Sequence, residues 1–239
     1  LLSRWLAPGE GRLWRAAAYR FHALVAERWR VGRFLLAGDS AHMTPPFMAQ
    51  GMVQGVRDAQ NLAWKLERVL RGTSPESLLD TYAVERRPHV TATTRTAIGL
   101  GRIICERDPA RAAERDARLI AEQGGSVHTT VRQNMIPDLR DGLLALETPG
   151  AGTVLPQPRV AAAGAAPALL DELTGPCIRL VTTGTLAPAP AAALVAALEP
   201  LGGRLVHAGV PGAGLPARVL QVAEADGVLG PWLESLGRG

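Results

Sequence analysis

Between residues 38 and 55 the chain reads Gly-Asp-Ser-Ala-His-Met-Thr-Pro-Pro-Phe-Met-Ala-Gln-Gly-Met-Val-Gln-Gly, and the groups best able to do chemistry are gathered there. The apolar run Phe34 to Ala37 stops abruptly at Gly38-Asp39, as a short buried strand does when a turn bounds it. In open α/β sheets ligands lie beyond the carboxyl ends of the strands. Asp39 is therefore placed to accept hydrogen bonds from ligand hydroxyls. Gly38, Ser40 and Ala41 are small enough for close approach. At the other end of the stretch a helix opens at Gln50-Gly51. Gly51 and Gly55 leave its first N–H groups and its positive dipole end uncovered, an arrangement suited to an anion or a developing negative charge. The expected ligand offers hydroxyls at one end and a partly anionic edge at the other.

Other chemistries fit less well. Ser40 and His42 are too close along one strand end to face each other as nucleophile and base, and no glycine follows the serine as a nucleophile elbow requires. The histidines (His22, His42, His89, His128, His207) show no ligand spacing, so no metal is expected. Gly212-x-Gly214-x-x-Ala217 lacks the following helix that a dinucleotide turn needs, because Pro216 and the strand-like Arg218-Val219-Leu220 come next. Cys105 and Cys177 form no CxxC, which argues against a disulfide scaffold or thiol redox centre. No side chain stands out as a catalytic acid or base. The formal charge of +4 comes from scattered arginines, with Arg86-Arg87 the clearest adjacent pair and no aromatic interleaving, so no nucleic-acid partner is expected. No apolar run reaches the length of a membrane span and no signal-peptide pattern is visible, so a cytoplasmic protein with no membrane partner is expected.

Two long helices must position the site. Met52, Val56, Ala59, Ala63, Leu66 and Leu70 recur at helical spacing and predict the buried face of the first, with Arg57, Asp58, Lys65, Glu67 and Arg68 mostly off it. Pro45, Pro46, Phe47 and Met48 form a rigid turn that aims this helix and supplies an apolar wall. Ser74-Pro75-Glu76 starts a second helix with Leu78, Leu79 and Tyr82 buried. Pro88 is expected to end or kink it. Tyr82, Glu85 and Arg86 read as an interior brace between helices. Helix continues over residues 89–121, interrupted at Gly99, Gly101 and Pro109. Ala18 to His22 alternates as a weak strand. Residues 161–168 read as a connector. From residue 176 onward, strands at 177–183, 204–210 and 218–222 alternate with helices at 189–198 and 229–236.

The block Gly38-Asp-Ser-Ala-His42, Pro45-Pro-Phe-Met-Ala-Gln-Gly-Met52 and Gly55-Val-Arg-Asp-Ala-Gln-Asn-Leu-Ala-Trp-Lys-Leu66 resembles the second flavin-binding motif of the single-component FAD-dependent aromatic hydroxylases. Its Phe-Met-x-Gln-Gly-Met variant is most similar to the 3-(3-hydroxyphenyl)propionate hydroxylase branch. The resemblance implies an α/β fold: the C-terminal part of a Rossmann-like FAD-binding domain with long helices, followed by a small thioredoxin-like α/β domain without its cysteine pair. The implied plan is residues 1–30 ending the substrate domain, 31–123 in the FAD-binding domain, 124–175 a connector, and 176–239 the thioredoxin-like domain, a packing or homodimer-contact module. FAD is the implied cofactor, with NADH or NADPH as co-substrate and a small aromatic as substrate. Gly38, Asp39, Pro46, Gln50, Gly51, Met52 and Val53 would hold the cofactor; Pro46, Phe47 and Met48 would line the substrate. Ala49 departs from the usual glycine, and Val53-Gln54 from usual small or polar residues. No Gly-x-Gly-x-x-Gly turn precedes Asp39, so the chain is expected to lack the pyrophosphate site and to be inactive alone. A polyketide-type hydroxylase and a non-catalytic remnant or oligomerisation module are the alternatives.

Overall fold

Trp29 is 1% exposed and lies between two other rings, His42 at 5.5 Å and Tyr82 at 5.4 Å between centroids. Ala41, Leu62, Leu79 and Val90 complete this core, with Leu35, Leu36, Leu66 and Val69 packed around it. Burying large side chains of this kind contributes on the order of 2–3 kcal/mol each. In the computed structural model, which describes residues 4–7, 9–126, 128–131 and 135–236, the chain divides into two units, Leu1–Glu147 and Thr148–Gly239. The extremities of the expected first and last segments, residues 1–3 and 237–239, lie outside the described residues.

The first unit begins with β1 (Leu24–Val25), β2 (Arg30–Val31), β3 (Phe34–Leu35) and β4 (His42–Met43). β1 pairs with β4 and β2 with β3, both antiparallel. The expected buried strand over 34–37 shrinks to a hairpin arm, with Phe34 82% exposed, because among the described residues nothing covers that side of the hairpin. Ala18 to His22, expected as a strand, has no regular structure.

Three helices follow: α1 (Gly51–Leu70), α2 (Asp80–Ile104) and α3 (Pro109–Glu122). The expected buried face of α1 is overturned. Met52 is 81% exposed, Val56, Ala59, Ala63 and Leu70 also face outward, and only Leu66 is half-buried. Buried instead are Gln54, Asp58, Leu62 and Lys65. The reason lies on α2, which turns Glu85, Arg86 and His89 towards α1, so that opposite charges select the polar side. Pro88 does not end α2. It is exposed, and its missing N–H would have bonded the carbonyl of Val84, itself exposed and open to water. Gly99 and Gly101 are likewise accommodated. The break comes at Cys105–Asp108, where the Asp108 carboxylate caps α3 by accepting from the Arg111 N–H at 3.0 Å with Pro109 in the first turn.

The second unit holds β5 (Arg159–Ala161), β6 (Ala168–Leu169), α4 (Leu170–Thr174), β7 (Arg179–Thr182), α5 (Pro188–Leu198), β8 (Arg204–His207), β9 (Val219–Gln221), β10 (Ala223–Glu224) and α6 (Leu229–Ser235). β7, β8 and β9 form a parallel sheet with β8 central, and β10, β5 and β6 an antiparallel one. Successive side chains of β8 point to opposite faces. Leu205 joins Ala191, Leu198 and Val219 under α5, while Val206 joins Val160, Leu170 and Val222. The stretch 159–174, expected within the connector, thus contributes Val160 and Leu170 to the core of this unit. The Glu224 carboxylate accepts the Val228 and Leu229 N–H groups at 2.6 and 2.8 Å and opens α6.

Candidate functional site

Shortly after β3, a left-handed Gly38 (φ 57°) begins a 3-10 turn over Gly38–Ser40. A side chain there would be strained. The turn also lies against α1: a Cβ built on Gly55 would come 3.5 Å from the Gly38 Cα. A buried carboxylate holds it in place. Asp58 Oδ2 accepts from the Gly38 N–H at 2.9 Å and from His42 Nε2 at 2.7 Å, while Oδ1 accepts from Arg86 Nε at 2.8 Å. Asp58 is 0% exposed. Burial pushes its carboxyl up, but the hydrogen bonds from His42, Gly38 and Arg86 outweigh this and hold it below the usual range.

Arg86 extends the network. Its Nη2 donates to Gln54 Oε1 at 2.6 Å, and its Nη1 lies 2.9 Å from His89 Nδ1. His89 is pushed down to about 4, by burial first and then by the neighbouring Arg86 and Arg57 charges, so it is neutral near pH 7 and accepts at Nδ1. A second pair lies further along the same faces. Lys65 Nζ donates to Glu85 Oε2 at 2.7 Å and to Asn61 Oδ1 at 2.8 Å. Burial lowers Lys65, and Glu85 opposes that shift. Tyr82 donates from its hydroxyl to the Leu36 carbonyl at 3.0 Å. Of the expected brace between helices, Glu85 and Arg86 join α2 to α1, whereas the Tyr82 hydroxyl is directed to the segment between β3 and the Gly38 turn.

From this scaffold the expected cofactor residues take their places. Asp39 is exposed, and its side chain makes no hydrogen bond or ion pair among the described residues. Pro46 begins a 3-10 turn over Pro46–Met48, and Ala49 follows in the left-handed conformation at φ 52°. The substitution of alanine for the usual glycine thus leaves the turn intact at some steric cost. Gln54 N–H donates to the Gln50 carbonyl at 2.8 Å and opens the helical ladder, so the N–H groups of Gly51, Met52 and Val53 stand ahead of it. Arg57 Nη1 reaches the Gln50 side-chain oxygen at 3.1 Å and adds positive charge near this helix mouth.

The three expected substrate residues are not equivalent. Met48 is 4% exposed and belongs to the interior; Pro46 is exposed; Phe47 is half-buried. Phe47 packs edge-on to Phe21 at 6.1 Å and lies against Gly101, where an added Cβ would sit 2.4 Å from its ring. Sequence reasoning missed Gln54, Asp58 and Lys65 as interior residues. Their signal was the charge match across two helices, Asp58 with Arg86 and Lys65 with Glu85, rather than apolar spacing.

An exposed carboxylate on a turn whose glycine backbone closely approaches α1, together with bare N–H groups at the start of that helix, fits a ligand with hydroxyls and a polarisable anionic edge. Comparison with known proteins agrees. A family model described as an FAD binding domain matches residues 7–97, and one described as the HcaD C-terminal domain matches residues 152–238. The "Probable NADH-specific resorcinol 4-hydroxylase" of Rhodococcus jostii is 46% identical over 174 residues, covering 73% of this chain and 31% of that protein. A 3-(3-hydroxy-phenyl)propionate/3-hydroxycinnamic acid hydroxylase of a Mycobacterium species is 39% identical over 173 residues, covering 67% of this chain and 30% of that protein. The crystal structure of a ternary complex of aklavinone-11 hydroxylase with FAD and aklavinone superposes with a TM-score of 0.58 at 26% identity, covering 92% of this chain and 39% of that one. The chain spans about a third of the length of the curated relatives it matches.

Proposed function

Over the residues these matches cover the chain belongs to the FAD-dependent aromatic hydroxylases, and from that premise we propose that it supplies the ribityl-binding turn and the flavin-facing helix of an enzyme that hydroxylates a single-ring phenol. The observation that carries this reading is the exposed Asp39 carboxylate at the Gly38 turn, tied through Gly55 and Asp58 to the helix whose first N–H groups precede its ladder. Asp39 would accept from ribityl hydroxyls. The N–H groups of Gly51, Met52 and Val53, with the dipole of α1, would face the pyrimidine edge of the flavin and favour its anionic form. Pro46 and Gln50 would complete the cofactor contacts. When bound, FAD supplies the redox and oxygen chemistry, with a nicotinamide cofactor as reductant.

The protein's own contribution is orientation and exclusion of water. Phe47, held between Phe21 and Gly101, would present the apolar wall for an aromatic ring, with Pro46 beside it. A phenol smaller than a multi-ring polyketide is favoured by the higher identity to the resorcinol-named relative, and NADH by that relative's name. In this reading residues 1–30 close the substrate domain and residues 31–123 belong to the FAD-binding domain. The second unit is a thioredoxin-like packing or dimer-contact module, a reading supported by its central parallel sheet under α5. A cytoplasmic location belongs to the same proposal; no helix among the described residues is long and apolar enough to cross a membrane.

Titration of the purified chain with FAD, followed by flavin absorbance and fluorescence, tests the cofactor site. Asp39→Ala is expected to weaken binding about ten-fold or more, the loss of charge-assisted hydrogen bonds worth about 1.5–3 kcal/mol each. Equal uptake by both proteins, or none by the parent chain, overturns the proposal.

A further inference from the structure

We propose that Asp58 is a positioning residue for the flavin cradle: its buried carboxylate sets the Gly38–Asp39 turn at a fixed distance from the mouth of α1. This rests on the cofactor reading given above. The turn and the helix mouth would grip different parts of one ligand, so their separation must be held constant. Asp39 itself does not hold it, being exposed. Asp58 does. It stands on α1, two turns beyond Gly51, and reaches out of that helix to take the Gly38 N–H at 2.9 Å. The same oxygen takes His42 Nε2 at 2.7 Å, which fixes the far end of the turn where β4 begins. The other oxygen takes Arg86 Nε at 2.8 Å, so α2 neutralises the charge that the turn and helix share. Arg86 also donates to Gln54 Oε1, one residue before Gly55, whose backbone meets that of Gly38.

The network is closed on three sides. Gly38 has the positive φ that turns its N–H to Asp58. His42 is 2% exposed and its Nδ1 has no hydrogen-bond partner among the described residues, so its side chain's single polar contact there is to Asp58. Among the described residues no other acceptor takes the Gly38 N–H. Removing the carboxylate charge therefore releases the turn without touching Asp39 or the N–H groups of the helix mouth.

The test is Asp58→Asn in the full chain, read by amide hydrogen exchange at Gly38 and by FAD affinity. An asparagine keeps the shape but can accept through only one atom, leaving a buried donor opposed to its amide. Gly38 exchange is expected to quicken about ten-fold or more while the amides of Leu62 and Val90 change little, and FAD affinity falls about ten-fold, equivalent to about 1.4 kcal/mol. A purely structural role would speed all three amides together and lower the melting temperature without a selective effect at Gly38; that result overturns the proposal. So does selective Gly38 exchange with unchanged FAD affinity. If Asp58→Asn does not fold, Asp58→Glu keeps the charge for Arg86 and His42 but displaces the acceptor, and the same selective Gly38 and FAD effects are expected at near-parental melting temperature. A parent chain that binds no FAD overturns the cofactor reading, while the Gly38 exchange still decides whether Asp58 sets the turn.

Discussion

Asp58 and Ala49 show two ways in which one residue shapes the candidate site. The first collects three donors on one buried carboxylate and joins a turn, a strand and two helices. The second takes a left-handed conformation that alanine adopts at a cost of roughly 1–2 kcal/mol. Ala49→Gly is therefore expected to raise stability by about 0.5–1 kcal/mol, the relieved strain being partly offset by the greater freedom of glycine when unfolded. Urea unfolding measures it, and a loss of stability would show that the turn is not strained there. His89 gives a pH dependence at the same scale. Its folded value of about 4 lies below the ordinary 6.5, so the unfolded chain takes up this proton first as pH falls. The contribution is complete above pH 6.5 and drains away as pH falls towards about 4. Melting temperatures of the parent and His89→Gln across that window should diverge in slope; parallel curves would remove His89 from the account.

At the scale of elements, α1 decides how the site is mounted. Its apolar stripe faces outward in the described unit and its polar stripe faces α2, where Lys65 meets Glu85 and Asp58 meets Arg86. Mutations on the two sides should differ accordingly. Val56→Thr, on the outward stripe, is expected to shift stability by no more than about 0.5 kcal/mol. Lys65→Ala leaves the Glu85 carboxylate without its ammonium partner inside the helix pair and is expected to cost about 3 kcal/mol. Chemical denaturation of both proteins is the measurement, and the reverse ranking would mean that the apolar stripe is the packed one.

For the whole molecule, the second unit carries two apolar clusters of its own on either side of β8, with Val206 and Leu205 at 0% and 1% exposure. Two buried faces on one central strand give a chain of this size enough apolar core to fold alone. A polypeptide of residues 148–239 is expected to unfold cooperatively, with a near-ultraviolet dichroism signal from Trp232. A non-cooperative, signal-free unfolding curve would mean that this unit depends on the first.

Local information determined much of what is described. The Gly38-Asp39 turn, the start of α1, the helix at 188–198 and the parallel strands around it follow from short-range glycine, proline and alternation signals, because each such preference is satisfied within a few residues. That Tyr82, Glu85 and Arg86 lie in the interior was legible as well, though not which residues they meet. Tertiary structure alone decided which side of α1 turns inward, that Pro88 sits inside α2, and that Asp58 is the hub beneath Asp39. The first and last of those outcomes rest on partners 20 to 28 residues apart in the chain, Gly38 with Asp58 and Asp58 with Arg86. Periodicity can identify a face that favours burial, but the neighbour that meets it is chosen by charge pairing between helices, which exists only once the chain has folded.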